Sequence, residues 1–315
     1  MFNRRTLLAL AGATAILGAS SFAMAEDKPY VAIISKGFSH QFWQAVKLGA
    51  EKAATEFNVD MTFEGPDGEG AVDRQLDMLQ AALAKHPGAL GIAAIDSQAT
   101  VPVLQQYKDA GIPVIAFDSG VASDIPISSA STDNLASVAL AADKMAELIG
   151  GEGEVAILAH DQTSQTGIER RDGFVNQIKA KYPKITIVDI QYVAGGDHAL
   201  SADATKTMLL AHPNLKGIFA TNEGTAIGLA IGKRESGSKI VAIGYDSGAE
   251  QLAAIRDGTL AGSITQNPVG IGYETVKAAV MAIKGEAVPA HIDTGFYWYD
   301  KTNIDDPIIK PNLYE

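Results

Sequence analysis

The chain has 315 residues with 25 basic and 37 acidic side chains, which gives a net charge of −12 at pH 7, and it contains no cysteine. An acidic surface repels nucleic acid and anionic lipid, so neither is an expected partner. The absence of cysteine excludes disulfides, thiol chemistry and zinc–thiolate sites.

The first 25 residues have the pattern of a secretory signal peptide. Arg4 and Arg5 precede an apolar stretch too short to span a bilayer, and Ala23-Met24-Ala25 fits the small-residue cleavage rule. We expect cleavage after Ala25 and export to the periplasm, leaving 290 residues with a net charge of −14. The NRRTLL run loosely resembles a twin-arginine signal, so the export route stays open. A length of about 290 residues favours two domains over one.

The rest of the chain alternates apolar, Val- and Ile-rich runs with longer segments of helical period. Continuous apolar strands separated by helices indicate parallel sheets covered on both faces, so we predict an α/β fold with two doubly wound domains. The predicted strands are YVAIIS (30–35), VDMTFE (59–64), ALGIAAI (89–95), IPVIAFD (112–118), GEVAILAH (153–160), ITIVDIQYV (185–193), KGIFAT (216–221) and KIVAIGYD (239–246). Helical patterns include 44–57, 72–86, 135–150, 202–212 and 225–233.

Polar side chains follow most of these strands. Because open parallel sheets bind ligands beyond the carboxyl ends of their strands, these side chains are candidates for one site. They are Lys36 to Trp43, Asp96-Ser97, Asp118-Ser119, His160-Asp161-Gln162, Asn222-Glu223 and Asp246-Ser247. Carboxylates and amides bind hydroxyl groups, and aromatic faces cover the C–H side of a sugar ring. The set predicts a neutral, polyhydroxylated ligand, although each Asp, Asn or Ser could instead cap a helix.

The remaining motifs do not indicate catalysis or a cofactor. GPDGEG (65–70) and GGEGE (150–154) match neither a dinucleotide fingerprint nor a phosphate-binding loop, and both are predicted to be plain turns. The six histidines lack metal-ligand spacing, and there is no GxSxG motif. His160 and His198 could line a cleft. We therefore predict no metal, no cofactor and no catalytic residue.

Several stretches, in order, resemble the type I periplasmic sugar-binding proteins, and the ribose-binding branch in particular. They are SHQFW (39–43), IPVIAFD (112–118), STDN (131–134), ERRDGF (169–174), AHPNLKGIFATNE (211–223), VAIGYDSG (241–248) and GSITQNP (262–268). The resemblance covers about 28–290. Regulators of the lac-repressor type share this fold, but the export signal and the lack of an N-terminal DNA-binding helix pair argue against them.

The resemblance implies two lobes that close on a ligand by a hinge motion. The expected N-terminal lobe comprises 26–132 and 267–295, and the expected C-terminal lobe comprises 133–266 and 296–315. Three segments would cross between the lobes, near 131–133, 265–267 and 290–296. The liganded form would dock on a membrane permease of an ABC importer, and the receptor is expected to be a monomer.

Site residues carried over by the resemblance match the polar strand ends. Phe42 is expected to stack on the sugar with Trp43 beside it, Asp118 to accept hydroxyl bonds, and Arg170 to donate to the ring oxygen or hydroxyls. The second lobe would add Asn222, Asp246 and Gln266. Lys36 matches a lysine of arabinose-binding relatives, and His40 stands where the ribose branch has asparagine.

The sequence also departs from the ribose branch. Ala93 replaces an asparagine, Ser119 replaces an arginine, and AGGDH (194–198) replaces an expected aromatic. A site that loses two donors and one wall is not expected to fit ribofuranose, so another small sugar or polyol is predicted.

Two alternatives to an importer receptor stay open at this point. A receptor that presents its sugar to a chemotaxis or sensor protein would use the same cleft. A secreted carbohydrate-active enzyme would need a paired acid and base, for which Asp118 and Asp246 are the candidates. The arginine and amides expected around them resemble a binding site more than the apolar pocket of a general acid.

Overall fold

The computed structural model describes residues 28–314, which form two α/β lobes. The predicted signal peptide and its cleavage site lie outside this range. In the described part of the chain, no helix is long and apolar enough to cross a membrane.

The first lobe contains a six-stranded parallel sheet in the order β11-β5-β4-β3-β1-β2. Helices α1 and α9 cover one face, where Val46 and Ile271 belong to one buried cluster, and α2 and α3 cover the other. The strands are β1 (Tyr30–Ile34), β2 (Asp60–Glu64), β3 (Ala89–Ile92), β4 (Val114–Phe117), β5 (Ser128–Ser131) and β11 (His291–Asp293). The helices are α1 (Gln41–Phe57), α2 (Val72–Leu83), α3 (Val101–Asp109) and α9 (Pro268–Ile283).

The second lobe repeats this architecture with the sheet order β12-β10-β9-β8-β6-β7. Helices α4 and α5 cover one face, and α6, α7 and α8 cover the other. The strands are β6 (Gly153–Ala159), β7 (Ile185–Tyr192), β8 (Leu215–Ala220), β9 (Val241–Tyr245), β10 (Gly262–Gln266) and β12 (Phe296–Tyr299). The helices are α4 (Asn134–Ile149), α5 (Gln165–Lys181), α6 (His198–Ala211), α7 (Glu223–Ser236) and α8 (Ala249–Arg256).

The predicted fold class of two doubly wound lobes is confirmed, with one difference. Strand β12 runs antiparallel to β10, whereas the sequence predicted parallel strands only. The reason is the path of the chain: it enters the second lobe from β11 of the first lobe rather than from a covering helix, so it meets the sheet edge in the opposite direction.

The chain passes between the two sheets three times, from β5 to α4, from β10 to α9, and from β11 to β12. Thr132, in the first of these connections, lies next to the other two. Its hydroxyl donates to Gln266 Oε1 at 2.8 Å, and it lies 3.4 Å from the carbonyl oxygen of Gly295. The first two connections are thereby hydrogen-bonded to each other, and the third is bonded to the first through the Thr294 peptide N–H, which donates to the Ser131 carbonyl oxygen at 3.1 Å. The lobe boundaries at 132, 266 and 295 remain a prediction.

Candidate functional site

The polar strand ends of both lobes meet at one buried cluster between the lobes. Every side chain predicted to contact ligand is there, and each is at most 6% exposed. They are Lys36, His40, Phe42, Trp43, Asp118, Arg170, Asn222, Asp246 and Gln266.

Arg170 of α5 lies at the centre of this cluster. Its Nε donates to Asn134 Oδ1 at 2.9 Å, its Nη1 donates to the carbonyl oxygen of Thr221 at 3.0 Å, and its guanidinium lies 3.8 Å from the centre of the Tyr245 ring. Two aspartates flank it: Asp118 Oδ1 lies 3.9 Å from Nη2, and Asp246 Oδ2 lies 4.0 Å from Nη1. The guanidinium of Arg170 therefore lies within 4.0 Å of one carboxylate from each lobe.

The two aspartates occupy equivalent places in the two lobes. Asp118 follows β4 with φ 53°, and Asp246 follows β9 with φ 76°. This left-handed backbone is uncommon for residues other than glycine, and Asp and Asn tolerate it best. The peptide N–H of each still donates into its own sheet, from Asp118 to Ala130 and from Asp246 to Ile264.

Asp246 accepts two hydrogen bonds from the protein, and burial raises the pKa of both aspartates. Gln266 Nε2 donates to Asp246 Oδ1 at 2.7 Å, and the Glu223 peptide N–H donates to Oδ2 at 3.0 Å. Burial raises the pKa of Asp118 to about 7, against the partly compensating charge of Arg170. Burial also raises the pKa of Asp246. A ligand hydroxyl that donates to either buried carboxylate supplies a hydrogen bond that water cannot supply there, and this stabilises the bound state.

Lys36 bridges the two lobes. Its Nζ donates to Ser164 Oγ and Thr166 Oγ1, each at 3.3 Å, and both residues belong to the second lobe. It also lies 3.6 Å from Asp161 Oδ2 and 3.9 Å from Glu69 Oε2. This ammonium group therefore joins a carboxylate of each lobe.

Glu69 is a functional candidate that the sequence reasoning missed. It lies in the GPDGEG segment, which is a turn as predicted, but its side chain is buried in the cleft. Trp43 Nε1 donates to Oε1 at 2.7 Å, and Asn222 Nδ2 donates to Oε2 at 3.4 Å across the lobes. Burial acts to raise the pKa of Glu69, but Lys36 and His40 together hold it below its ordinary value. Glu69 is thus a buried, charged acceptor.

The AGGDH segment faces His40 where an aromatic residue was expected. His40 Nε2 donates to the carbonyl oxygen of Gly195 at 3.0 Å, and its ring stacks 6.0 Å from that of His198. Gly195 has φ 67°, and a Cβ there would lie 3.0 Å from the backbone nitrogen of Gly70. A side chain at 195 would therefore hold the two loops, and with them the lobes, apart.

The two aromatics at the start of α1 pack edge to face, with ring centres 4.9 Å apart. Phe42 also approaches Tyr314 at 6.1 Å, and Trp43 approaches Phe117 at 6.3 Å. The Trp43 N–H is bonded to Glu69, so this residue offers a ligand only its ring. Stacking of Phe42 on a sugar stays a prediction.

Some of the polar residues that follow strands cap a helix or a turn, as the sequence analysis allowed. Asn222 Oδ1 accepts the Thr225 peptide N–H at 2.9 Å and caps α7, which leaves its amide nitrogen for the cleft. Asp96 Oδ1 accepts the peptide N–H groups of Gln98 and Ala99, so its side chain serves a turn.

Three further polar residues of the second lobe belong to the cluster. His160 Nδ1 lies 2.7 Å from Thr221 Oγ1, and burial lowers the pKa of His160 to about 3, which keeps it neutral. Burial acts to raise the pKa of Asp161, but Lys36 and the hydrogen bonds from Ser164 hold it well below its ordinary value. Burial raises the pKa of Glu223 to about 7. All three residues directly follow a predicted strand, so a search of the carboxyl ends of the strands finds them.

Within residues 28–314, no group of three or more His, Asp or Glu side chains is arranged to hold a metal ion. The cluster instead combines carboxylates, amides and the cations Lys36 and Arg170 with the rings of Phe42 and Trp43, which also belong to the core of the first lobe.

A family model described as periplasmic binding protein domain matches residues 31–287. The chain belongs to this family. The ribose import binding protein of Escherichia coli strain K12 is 27% identical over 289 residues, which cover 91% of this chain and 96% of that protein.

Solved structures of sugar-bound family members are also similar. A carbohydrate transporter solute binding protein from Agrobacterium radiobacter, in complex with D-arabinose, has a TM-score of 0.88 and 31% identity, covering 92% of this chain and 100% of that chain. An ABC transporter solute binding protein from Agrobacterium vitis, with bound D-fucose, has a TM-score of 0.87 and 34% identity, covering 90% and 100%. The resemblance inferred from the sequence is confirmed at the level of the family.

Proposed function

We propose that this chain is the solute-binding receptor of an ABC importer and that it captures a neutral, monosaccharide-sized sugar or polyol between its lobes. The observation that carries the proposal is the buried cluster around Arg170, in which each lobe supplies a carboxylate within 4.0 Å of one guanidinium. The sugar-binding relatives support it.

The carboxyl groups of the cluster favour a ligand rich in hydroxyl donors. Four of them lie around the cations Lys36 and Arg170. An uncharged sugar donates hydroxyl hydrogens to the carboxylates and accepts from the cations. A sugar acid would place a further carboxylate close to these groups, so we expect weaker binding of uronates and aldonates. The four carboxyl groups belong to Glu69, Asp118, Asp161 and Asp246.

We further propose that the residues predicted from the sequence contact the ligand and that ribofuranose is not the preferred sugar. Ala93 and Ser119 are small and buried where the ribose branch has donors, and His40 bonds to Gly195 rather than standing free. These replacements change which hydroxyls find a partner, and unpaired polar groups in a closed site weaken binding.

We also propose a location and a partner for this chain. The chain would work in the periplasm, as a monomer, and deliver its ligand to an inner-membrane permease. We propose that it has no catalytic activity, because Asp118 and Asp246 share one guanidinium as binding groups and the similar proteins are named as binding proteins.

A thermal-shift screen tests this function. The chain from Glu26 onwards is mixed with tetroses, pentoses, hexoses and polyols, including D-arabinose, D-fucose and D-ribose, and with matching sugar acids. A ligand that binds only the folded protein adds about 2.7 kcal/mol of stability at 100 times its Kd, which raises the melting temperature by several degrees.

We expect one or a few stereochemically related neutral sugars or polyols to raise the melting temperature, and the matching sugar acids to raise it less at the same concentration. Folded, ligand-free protein that responds to none of the neutral compounds would contradict the proposed function.

A further inference from the structure

The first helix of the first lobe is capped by a residue of the second lobe. The first N–H groups of any helix lack partners within the helix. His40, at the N-cap of α1, gives no side-chain bond to them. Instead, the peptide N–H of Gln41 donates to Glu223 Oε1 at 3.0 Å, and that of Phe42 donates to Oε2 at 2.9 Å. Both oxygens of one carboxylate are therefore engaged across the cleft.

A second bond runs the opposite way between the same two lobes. Gln41 Oε1 accepts the peptide N–H of Ala249, the first residue of α8, at 2.7 Å. The N-cap of α8 is Gly248, which has no side chain with which to cap the helix itself. A Cβ at Gly248 would lie 2.9 Å from Gln41 Oε1 and 3.1 Å from Glu223 Oε1, so the two capping side chains lie side by side.

Glu223 is also bonded to the candidate sugar site and, through it, to the connections between the lobes. Its peptide N–H donates to Asp246 Oδ2 at 3.0 Å, and Asp246 Oδ1 accepts from Gln266 at 2.7 Å. Gln266 in turn accepts from Thr132 at 2.8 Å. One chain of hydrogen bonds therefore links Glu223 and Asp246 to two of the three connections between the lobes.

We propose that Glu223 and Gln41 form a reciprocal clasp between the lobes, and that Glu223 is a positioning residue on which ligand affinity depends without being a predicted sugar contact. This inference rests on the proposed function for its effect on affinity. The bonds join different lobes, so they exist only when the lobes are together, and a carboxylate at a helix N-terminus is a favourable partner. Losing the clasp lowers the closed fraction, and the apparent affinity falls with that fraction.

Glu223→Gln tests the clasp, because glutamine has the same size but keeps only one acceptor oxygen. Glu250→Gln is the matched control, since Glu250 is an exposed first-turn residue of α8 in the same lobe. We measure the affinity for the sugar found in the screen and the hydrogen exchange of the Gln41 and Phe42 amides, with and without that sugar. Gln41→Ala, with exchange of the Ala249 amide, tests the other half of the clasp should Glu223→Gln fail to fold.

For Glu223→Gln we expect about tenfold weaker binding, mainly through faster dissociation, and about tenfold faster exchange of both amides in the sugar-bound state. The control should change neither quantity. Equal amide exchange in the wild type and the variant, in both states, would overturn the clasp even if sugar binding is normal. A clear exchange difference in protein that binds no sugar would instead overturn the proposed function and leave the clasp standing.

Discussion

Replacing Arg170 with methionine is expected to lower the free energy of unfolding by about 3–5 kcal/mol and to abolish sugar binding. The guanidinium is buried, bonds to Asn134 and Thr221, and lies between two carboxylates. Methionine fills much of the volume but leaves Asp118 and Asp246 without their shared cation, and an uncompensated buried charge is costly.

Urea denaturation followed by circular dichroism measures this loss. Arg171→Met is the control, because the neighbouring Arg171 is partly exposed and pairs with Asp172 on the outside of α5. The control should change the free energy of unfolding by less than about 1 kcal/mol. A loss of similar size in both variants would mean that Arg170 does not hold the cluster together.

Asp118→Asn is expected to have opposite effects on stability and on function. The pKa of this carboxyl rises from its ordinary 3.8 to about 7 in the folded chain because of burial. A raised pKa in the folded state means that Asp118 costs stability as the pH rises towards 7, and that the full cost is present above pH 7. Asparagine removes the charge and accepts the left-handed backbone at 118, so the variant should be more stable by about 1–3 kcal/mol at pH 8.

The gain should shrink as the pH is lowered from 8 towards 4, because the wild-type carboxyl then takes up its proton. Sugar affinity of the variant should fall by about 100-fold, since a charged acceptor for ligand hydroxyls is lost. Melting curves and titrations at several pH values measure both effects. Asp124→Asn, at an exposed aspartate nearby in the chain, should do neither. A variant that is less stable than the wild type at pH 8 would contradict this account of Asp118.

Much of the fold could be predicted from hydrophobic pattern, but the strands beside the connections between the lobes could not. Apolar runs such as YVAII and EVAILA predict central strands because parallel strands are buried on both faces. Strands β5 (SSAS) and β11 (HID) have no such run, and β12 is an aromatic run whose direction the pattern does not specify. These strands form because the chain must cross between the lobes beside an existing sheet edge.

The site was predictable where it follows a strand directly. Asp118, Asp246 and Lys36 were found by that rule, and Asp161 and Glu223 were within its reach. Glu69 was missed because it lies five residues beyond β2, in a glycine-rich turn whose composition indicates only a change of direction. The burial of Glu69 in the cleft depends on its hydrogen bonds with Trp43 and Asn222. Both residues are distant in sequence, so no local sequence pattern predicts these contacts.

Binding of a neutral sugar between the lobes is tested most directly by the fluorescence of Trp43. The chain has two tryptophans, and Trp298→Phe leaves Trp43, whose ring lies in the cluster and whose N–H bonds to Glu69, as the only one. Titration of this variant with the neutral sugar and polyol panel should give a saturable change in emission with at least one compound at micromolar concentration. The matching sugar acids should give a smaller change at the same concentration. An emission that no neutral compound alters, or that responds only to sugar acids, would contradict the account.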